Sequence, residues 1–288
     1  MAHQSLDMFL TRSKGVLAKG PIAILLVEDD VEVWSTIEHH LSLGFETIVV
    51  VMPEEFGLPD DLAAQVHRIT YHPSTMEKTQ EVIDKLTRAA PDQWIYYCYN
   101  AEYLFYPFCE TRKVSEMLAF HEQERRDGML TYVVDLYAQD LSHCHNAVSV
   151  DHAHLDRTGY YALARPDPVT TYPKERQLDF FGGLKWRFEE HIPEKSRKID
   201  RISLFKAKPG LQLRDDYTFN DEEYNTYACP WHNNLTAAIC SFRTAKALKN
   251  NPGSSAEIKT FRWHNSAPFE WQSRQLMDLG LMEPGQWF

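Results

Sequence analysis

The chain has 288 residues, 43% hydrophobic and 25% charged, which is ample for a packed core and excludes disorder as the default state. Acidic residues outnumber basic ones 41 to 30, a formal charge of −11, so a general electrostatic hold on nucleic acid is not expected and only a local basic pocket would meet phosphate. Five scattered cysteines with no Cys-x-x-Cys pair exclude a disulfide scaffold and favour a reducing compartment.

There is no apolar run of the roughly 20 residues a membrane helix needs, and no basic-then-apolar opening, so a cytoplasmic location is expected. The first strong signal is Pro21–Val27, an apolar run between Gly20 and Glu28-Asp29-Asp30 that reads as a strand buried on both faces. Val33, Ile37 and Leu41, with Trp34, then recur at helical spacing up to Gly44, a C-cap, and Thr47–Met52 is a second strand, completing a βαβ unit. Val66–Tyr71 reads as a strand, Ser74 and Lys78 open a polar helix running to Ala90, and Gln93–Cys98 reads as a strand. A helix around Val114–Glu124 and a strand over Leu130–Val134 follow. Beyond about residue 145 prolines interrupt the pattern. Lys185–Glu190 and Arg201–Phe205 read as short strands, Leu235–Leu248 as a helix and Phe269–Gly280 as a shorter one. The expected organisation is an extension over 1–19, an α/β core over 20–145 with a mainly parallel sheet, and a looser acceptor lobe over 146–288 continuous with that core.

Ile24–Asp30 (Ile-Leu-Leu-Val-Glu-Asp-Asp) resembles the opening of response-regulator receiver domains. That reading fails downstream, because the next strand ends in Pro53-Glu-Glu55 with no acceptor aspartate and no Lys-Pro pair lies near position 100. Acids at the mouth of the first parallel strand still point to a ligand, since such sheets bind outside their carboxyl ends.

A wider set of motifs, in order, covers about residues 20–250. Glu28-Asp29 is followed by a helix with His40 and Leu43-Gly44. Tyr99-Asn-Ala-Glu-Tyr-Leu-Phe-Tyr-Pro107 is similar to an Asp-x-Asp-Glu-Phe-Leu segment, and Phe181–Phe188 to a Gly-Gly-x-Arg-x-Arg element. Ile202–Lys208 looks like the lysine-bearing strand after it, and Ala237–Arg243 like a Leu-Leu-His-Phe-Lys helix start. Together they resemble the bacterial family-2-like glycosyltransferases, with their nucleotide-sugar-binding GT-A α/β/α sandwich. The resemblance implies a nucleotide-sugar donor and a glycan or related hydroxyl acceptor, with Glu28, Asn100 and Glu102 at the donor. In that family Asp-x-Asp holds manganese or magnesium against the donor diphosphate. Here Tyr99 and Ala101 replace both aspartates, and Ser241 and Arg243 replace the later His and Lys. No metal ligand is therefore assigned. Either leaving-group stabilisation has moved to cations and hydrogen-bond donors, or catalysis has been lost.

Individual residues carry both functional and structural readings. Asp135, after a predicted strand, is the candidate general base for an acceptor hydroxyl, and strand-end capping is the alternative, as it is for Asp140. Lys185 and Arg187, expected to alternate on one face of a strand, and Lys206 with Lys208 form a basic set suited to diphosphate, against a solvated edge strand. His232, in Cys229–Asn234, is a candidate acceptor contact or a packed loop residue. His143-Cys-His145 and Asp151-His-Ala-His154 offer metal-ligand types without a spaced second half. The main function expected is sugar transfer with little metal dependence. The alternative is a non-catalytic descendant that binds carbohydrate or nucleotide, or acts as a scaffold.

Overall fold

A computed structural model describes residues 2–3, 5–13, 15–71, 78–226 and 234–287. In chain order the elements are β1 (Ala2–His3), α1 (Leu6–Arg12), β2 (Ile22–Leu26), α2 (Val33–Leu43), β3 (Thr47–Pro53), α3 (Asp60–Ala63), β4 (His67–Tyr71), α4 (Thr79–Ala89) and β5 (Trp94–Tyr99). Then come β6 (Glu102–Phe105), α5 (Val114–Gln123), β7 (Gly128–Ala138), β8 (Ala153–Asp156), β9 (Tyr161–Pro166), β10 (Pro173–Phe181) and α6 (Gly183–Arg187). The last are β11 (Asp200–Lys206), β12 (Ala237–Ser241), α7 (Arg243–Asn250), α8 (Pro252–Ser255), β13 (Ser266–Pro268) and α9 (Ser273–Asp278). The class is α/β. Two compact units share the chain without being consecutive blocks: the first holds 1–101, 111–129 and 202–225, the second 102–110, 130–201 and 226–288.

The first unit is built on a parallel sheet. β1, β4, β3, β2 and β5 lie side by side, each pairing parallel, and β11 closes onto β5 antiparallel, Leu204 opposite Tyr96. Every residue of β2, β3 and β5 is buried, as an apolar run without alternation requires when both sheet faces are covered. Helix α2 buries Val33, Ile37, His40 and Leu43 and ends at Gly44, whose φ of 86° is the left-handed cap glycine supplies without strain. The order strand, helix, strand through residue 99 agrees with the sequence expectation.

The second unit is mixed. β12 pairs parallel with β7 and antiparallel with β6, while β8 pairs antiparallel with the end of β7 and β13 with β8. β9 and β10 form a separate antiparallel hairpin. Tyr137, Leu141, Ala147, Leu184, Ala245, Leu248, Ile258 and Phe261 make a core cluster under α7. Two expectations are corrected here. The apolar stretch within Leu235–Leu248 is strand β12 followed by α7, because Ala237–Ser241 is buried throughout and so short a run fits either state until its neighbours are known. Lys185 and Arg187 lie not on a strand but on α6, which starts where Gly183 turns the backbone at φ +60°. Phe269–Gly280 holds the shorter helix α9 only.

Candidate functional site

Three strands of the second unit set side chains in one row. Ser241 on β12 is opposite Glu102 on β6 and opposite Asp135 on β7, so all three point to the same sheet face. Glu102 is 1% exposed and its two oxygens are both engaged, one by the Arg201 guanidinium at 2.6 Å and the other by the Ser241 hydroxyl at 3.0 Å. That carboxylate is a structural anchor, not a group presented to a cation. Asparagine and alanine beside it add no second acid, and among the described residues no group of three or more His, Cys, Asp or Glu is arranged to hold a metal. Residues 99–102 therefore do not fit the divalent cation of the Asp-x-Asp pattern.

Asp135 is different. It is 1% exposed, its Oδ2 accepts from the Leu184 N–H at 2.8 Å, and its Oδ1 is buried with no hydrogen-bond partner. Burial pushes its pKa up to about 6, and the neighbouring Asp156 adds to the shift. The Lys185 ammonium, the Thr244 hydroxyl and the Leu184 amide oppose it. The Gly182-Gly183 turn is what brings the backbone so close: a Cβ on Gly183 would lie 2.7 Å from Asp135 Oδ2, and one on Gly182 would lie 2.3 Å from the Tyr160 ring. Only glycine permits both contacts.

Around this carboxyl stand the cations. Lys185 donates to the Lys198 carbonyl at 2.8 Å; burial lowers its pKa, against the pull of Asp135, and Arg243 and Arg201 lower it further. Arg187 pairs with Asp156 at 3.0 Å, donates to the Phe261 carbonyl at 2.6 Å and lies 4.6 Å over the Trp263 ring. Asp156 also accepts from the Tyr137 hydroxyl at 2.6 Å and the Trp263 indole N–H at 2.7 Å. Arg187 is thus held in a buried network instead of lying on an exposed basic strand. Arg187 and Arg201 are thus each paired with a carboxylate, Asp156 and Glu102, while Lys185 lies in the field of Asp135 and Glu102 on one side and of Arg243 and Arg201 on the other.

Glu28 and Asn100 meet in the first unit. The Asn100 side chain accepts from the Glu28 N–H at 2.9 Å and donates to Asp29 Oδ1 at 2.6 Å and to the Val31 carbonyl at 2.8 Å. It braces the mouth of β2, and Glu28 itself stays exposed. Ala101 follows in the left-handed region (φ 61°), its N–H given to the Thr36 hydroxyl at 2.9 Å, a costly conformation for a non-glycine residue that this bond helps hold. Lys206, also in the first unit, pairs with Glu122 at 3.0 Å, which raises the lysine pKa and lowers that of the glutamate. His232 lies outside the described residues. His143 pairs with exposed Asp140, and His154 contacts the His152 carbonyl, so each is locally engaged.

The chain matches no protein-family model and no curated protein. The site therefore rests on its own geometry. Of the sequence candidates, Glu102, Asp135, Lys185 and Arg187 come together in the second unit, and Glu28 with Asn100 in the first. Sequence reasoning missed Asp156, Arg201 and Tyr160. Arg201 stood only as the start of a strand, and Asp156 was lost behind the histidine-rich stretch before it, though an aspartate closing a strand-like Ala-His-Leu run was the available signal.

Proposed function

We propose that the protein is a glycosyltransferase of GT-A-like design that moves a sugar from a nucleotide-sugar donor to a glycan or related hydroxyl acceptor with little dependence on metal. The observation that carries this reading is Asp135, a buried carboxyl with a pKa near 6 and one unpaired oxygen. A base acts best when its pKa lies near the working pH, and Asp135 in its ionised form would take the acceptor hydroxyl proton as that oxygen attacks the anomeric carbon. The donor's glycosidic bond to the diphosphate breaks in the same exchange. Charge developing on the leaving diphosphate would meet Lys185 and the neighbouring Arg243, two cations close enough to act on each other in a buried setting.

A second reading, a binding protein that has lost catalysis, is favoured by the closure of Arg187 on Asp156 and of Arg201 on Glu102. Release of nucleoside diphosphate from a panel of nucleotide sugars, with acceptor glycans and with EDTA, separates the two. Turnover that survives chelation supports transfer. Donor binding with no release under any condition supports the binding protein.

A further inference from the structure

Tyr160 is placed by the hairpin it opens. Phe181 of β10 pairs with Tyr161 of β9, and the same antiparallel register carried one step further sets Tyr160 opposite Gly182. The two are close: a Cβ on Gly182 would lie 2.3 Å from the Tyr160 ring. The next residue, Gly183, meets Asp135, and the one after it, Leu184, donates its N–H to Asp135 Oδ2. The Gly182-Gly183 turn is therefore flanked by a tyrosine ring and by the buried carboxyl.

Two buried polar atoms at this turn have no hydrogen-bond partner, the Tyr160 hydroxyl and Asp135 Oδ1. An unpaired buried group forfeits its hydration without return, and these two are complementary, since a phenol donates and a carboxylate accepts. Tyr160 lies in the field of two carboxylates, Asp156 and Asp135. Both oxygens of Asp156 are engaged, Oδ1 by Tyr137, Trp263 and Arg187 and Oδ2 by Arg187. Asp135 still has one oxygen to give. Lys185 of α6, Asp156 of β8 and the Thr244 hydroxyl of α7 also act on Asp135, but none of them is bonded to Oδ1. We propose that Tyr160 is a positioning residue for Asp135, its hydroxyl closing to donate to Oδ1 when the carboxyl is ionised. Such a bond favours the charged form against burial and fixes the direction in which the base faces. The inference rests on the glycosyl-transfer reading only in giving that base an acceptor hydroxyl to act on.

A carboxyl-carbon NMR titration of the full chain, labelled at aspartate and without donor, tests it; the signal missing from Asp135→Asn is that of Asp135. Tyr160→Phe keeps the ring on Gly182 and removes only the hydroxyl. It should raise the Asp135 midpoint by about one pH unit, the shift expected for losing a hydrogen bond to a charged group. A ring that merely packs would leave the midpoint where it is, so an unchanged or lowered midpoint overturns the inference. A second measurement needs no tyrosine variant. In the wild type the Tyr160 ring carbon that bears the hydroxyl should shift at the Asp135 midpoint, and that step should be absent from Asp135→Asn. A Tyr160 signal indifferent to the Asp135 titration overturns the inference as well. A raised midpoint in Tyr160→Phe, beside a wild type that transfers no sugar, would sink the transfer reading and leave the pairing standing.

Discussion

At Asp135 burial and proximity set the chemistry together. Its folded pKa of about 6 lies above the ordinary value near 3.9, so the folded state holds a proton that the unfolded chain has released over roughly pH 4–6. The contribution of Asp135 to stability is therefore greatest below that window and falls as pH rises through it, by about 3 kcal/mol. Asp135→Asn removes the titration, and the variant should melt above the wild type at pH 8 and close to it at pH 4. Thermal melts across that range would refute the assignment if the variant melted lower at pH 8. Arg187 behaves in the opposite sense. It neutralises a buried aspartate, so Arg187→Ala should destabilise by about 3–5 kcal/mol, read in a urea titration, instead of leaving stability unchanged as an exposed phosphate ligand would.

Elements rich in apolar residues could be read in the sequence; those shaped by one contact could not. β2, β3 and β5 are legible because short apolar runs such as Ile-Ala-Ile-Leu-Leu, set off by Gly20 before it and Glu28-Asp29-Asp30 after it, are too short for a buried helix and suit a doubly covered strand, and Gly44 marks the end of α2 by its backbone freedom. Ala237–Ser241 is equally apolar but leads directly into the helical Arg243–Asn250, and only pairing to β6 and β7 decides between strand and helix. α6 was hidden for another reason. Its polar–aromatic alternation suits a strand, but Gly183 turns the chain onto Asp135, a tertiary contact that sequence spacing does not reveal. The same turn gives a test at this scale. Gly183→Ala places a methyl group in a left-handed conformation and against the Asp135 carboxylate, so about 1–3 kcal/mol of stability should be lost and the carboxyl displaced. An alanine variant as stable as the wild type would show that the approach is not required.

Across the whole molecule a net charge of −11 coexists with a buried group of cations, Lys185, Arg187 and Arg201, so composition argues against a general hold on nucleic acid and still leaves a local basic pocket open. The pairing of Lys185 with Arg187 at the site was visible as a cluster in sequence. Their partners Asp156 and Asp135 come from strands β8 and β7, and that meeting is a property of topology. The first unit adds its own pH response. His40 and His121 are buried and neutral, their pKa values pushed down to about 3 and about 4 by desolvation. Their contribution is complete above about pH 6.5 and is lost as pH falls toward those values, because the unfolded chain takes up protons that the folded one refuses. His40→Met should flatten the fall in melting temperature between pH 6.5 and 4, and an unaltered slope would remove His40 from that account.

The most direct test of the proposed chemistry is kcat/KM for sugar transfer measured against pH in EDTA, for the wild type and Asp135→Asn. The rate should rise with pH through about 6 and then level off, since the base acts only when ionised. Asp135→Asn should be slower by about 10²–10⁴-fold, and that rising limb should vanish. A profile flat from pH 5 to 8, or a variant as fast as the wild type, would contradict the assignment of Asp135 as the base.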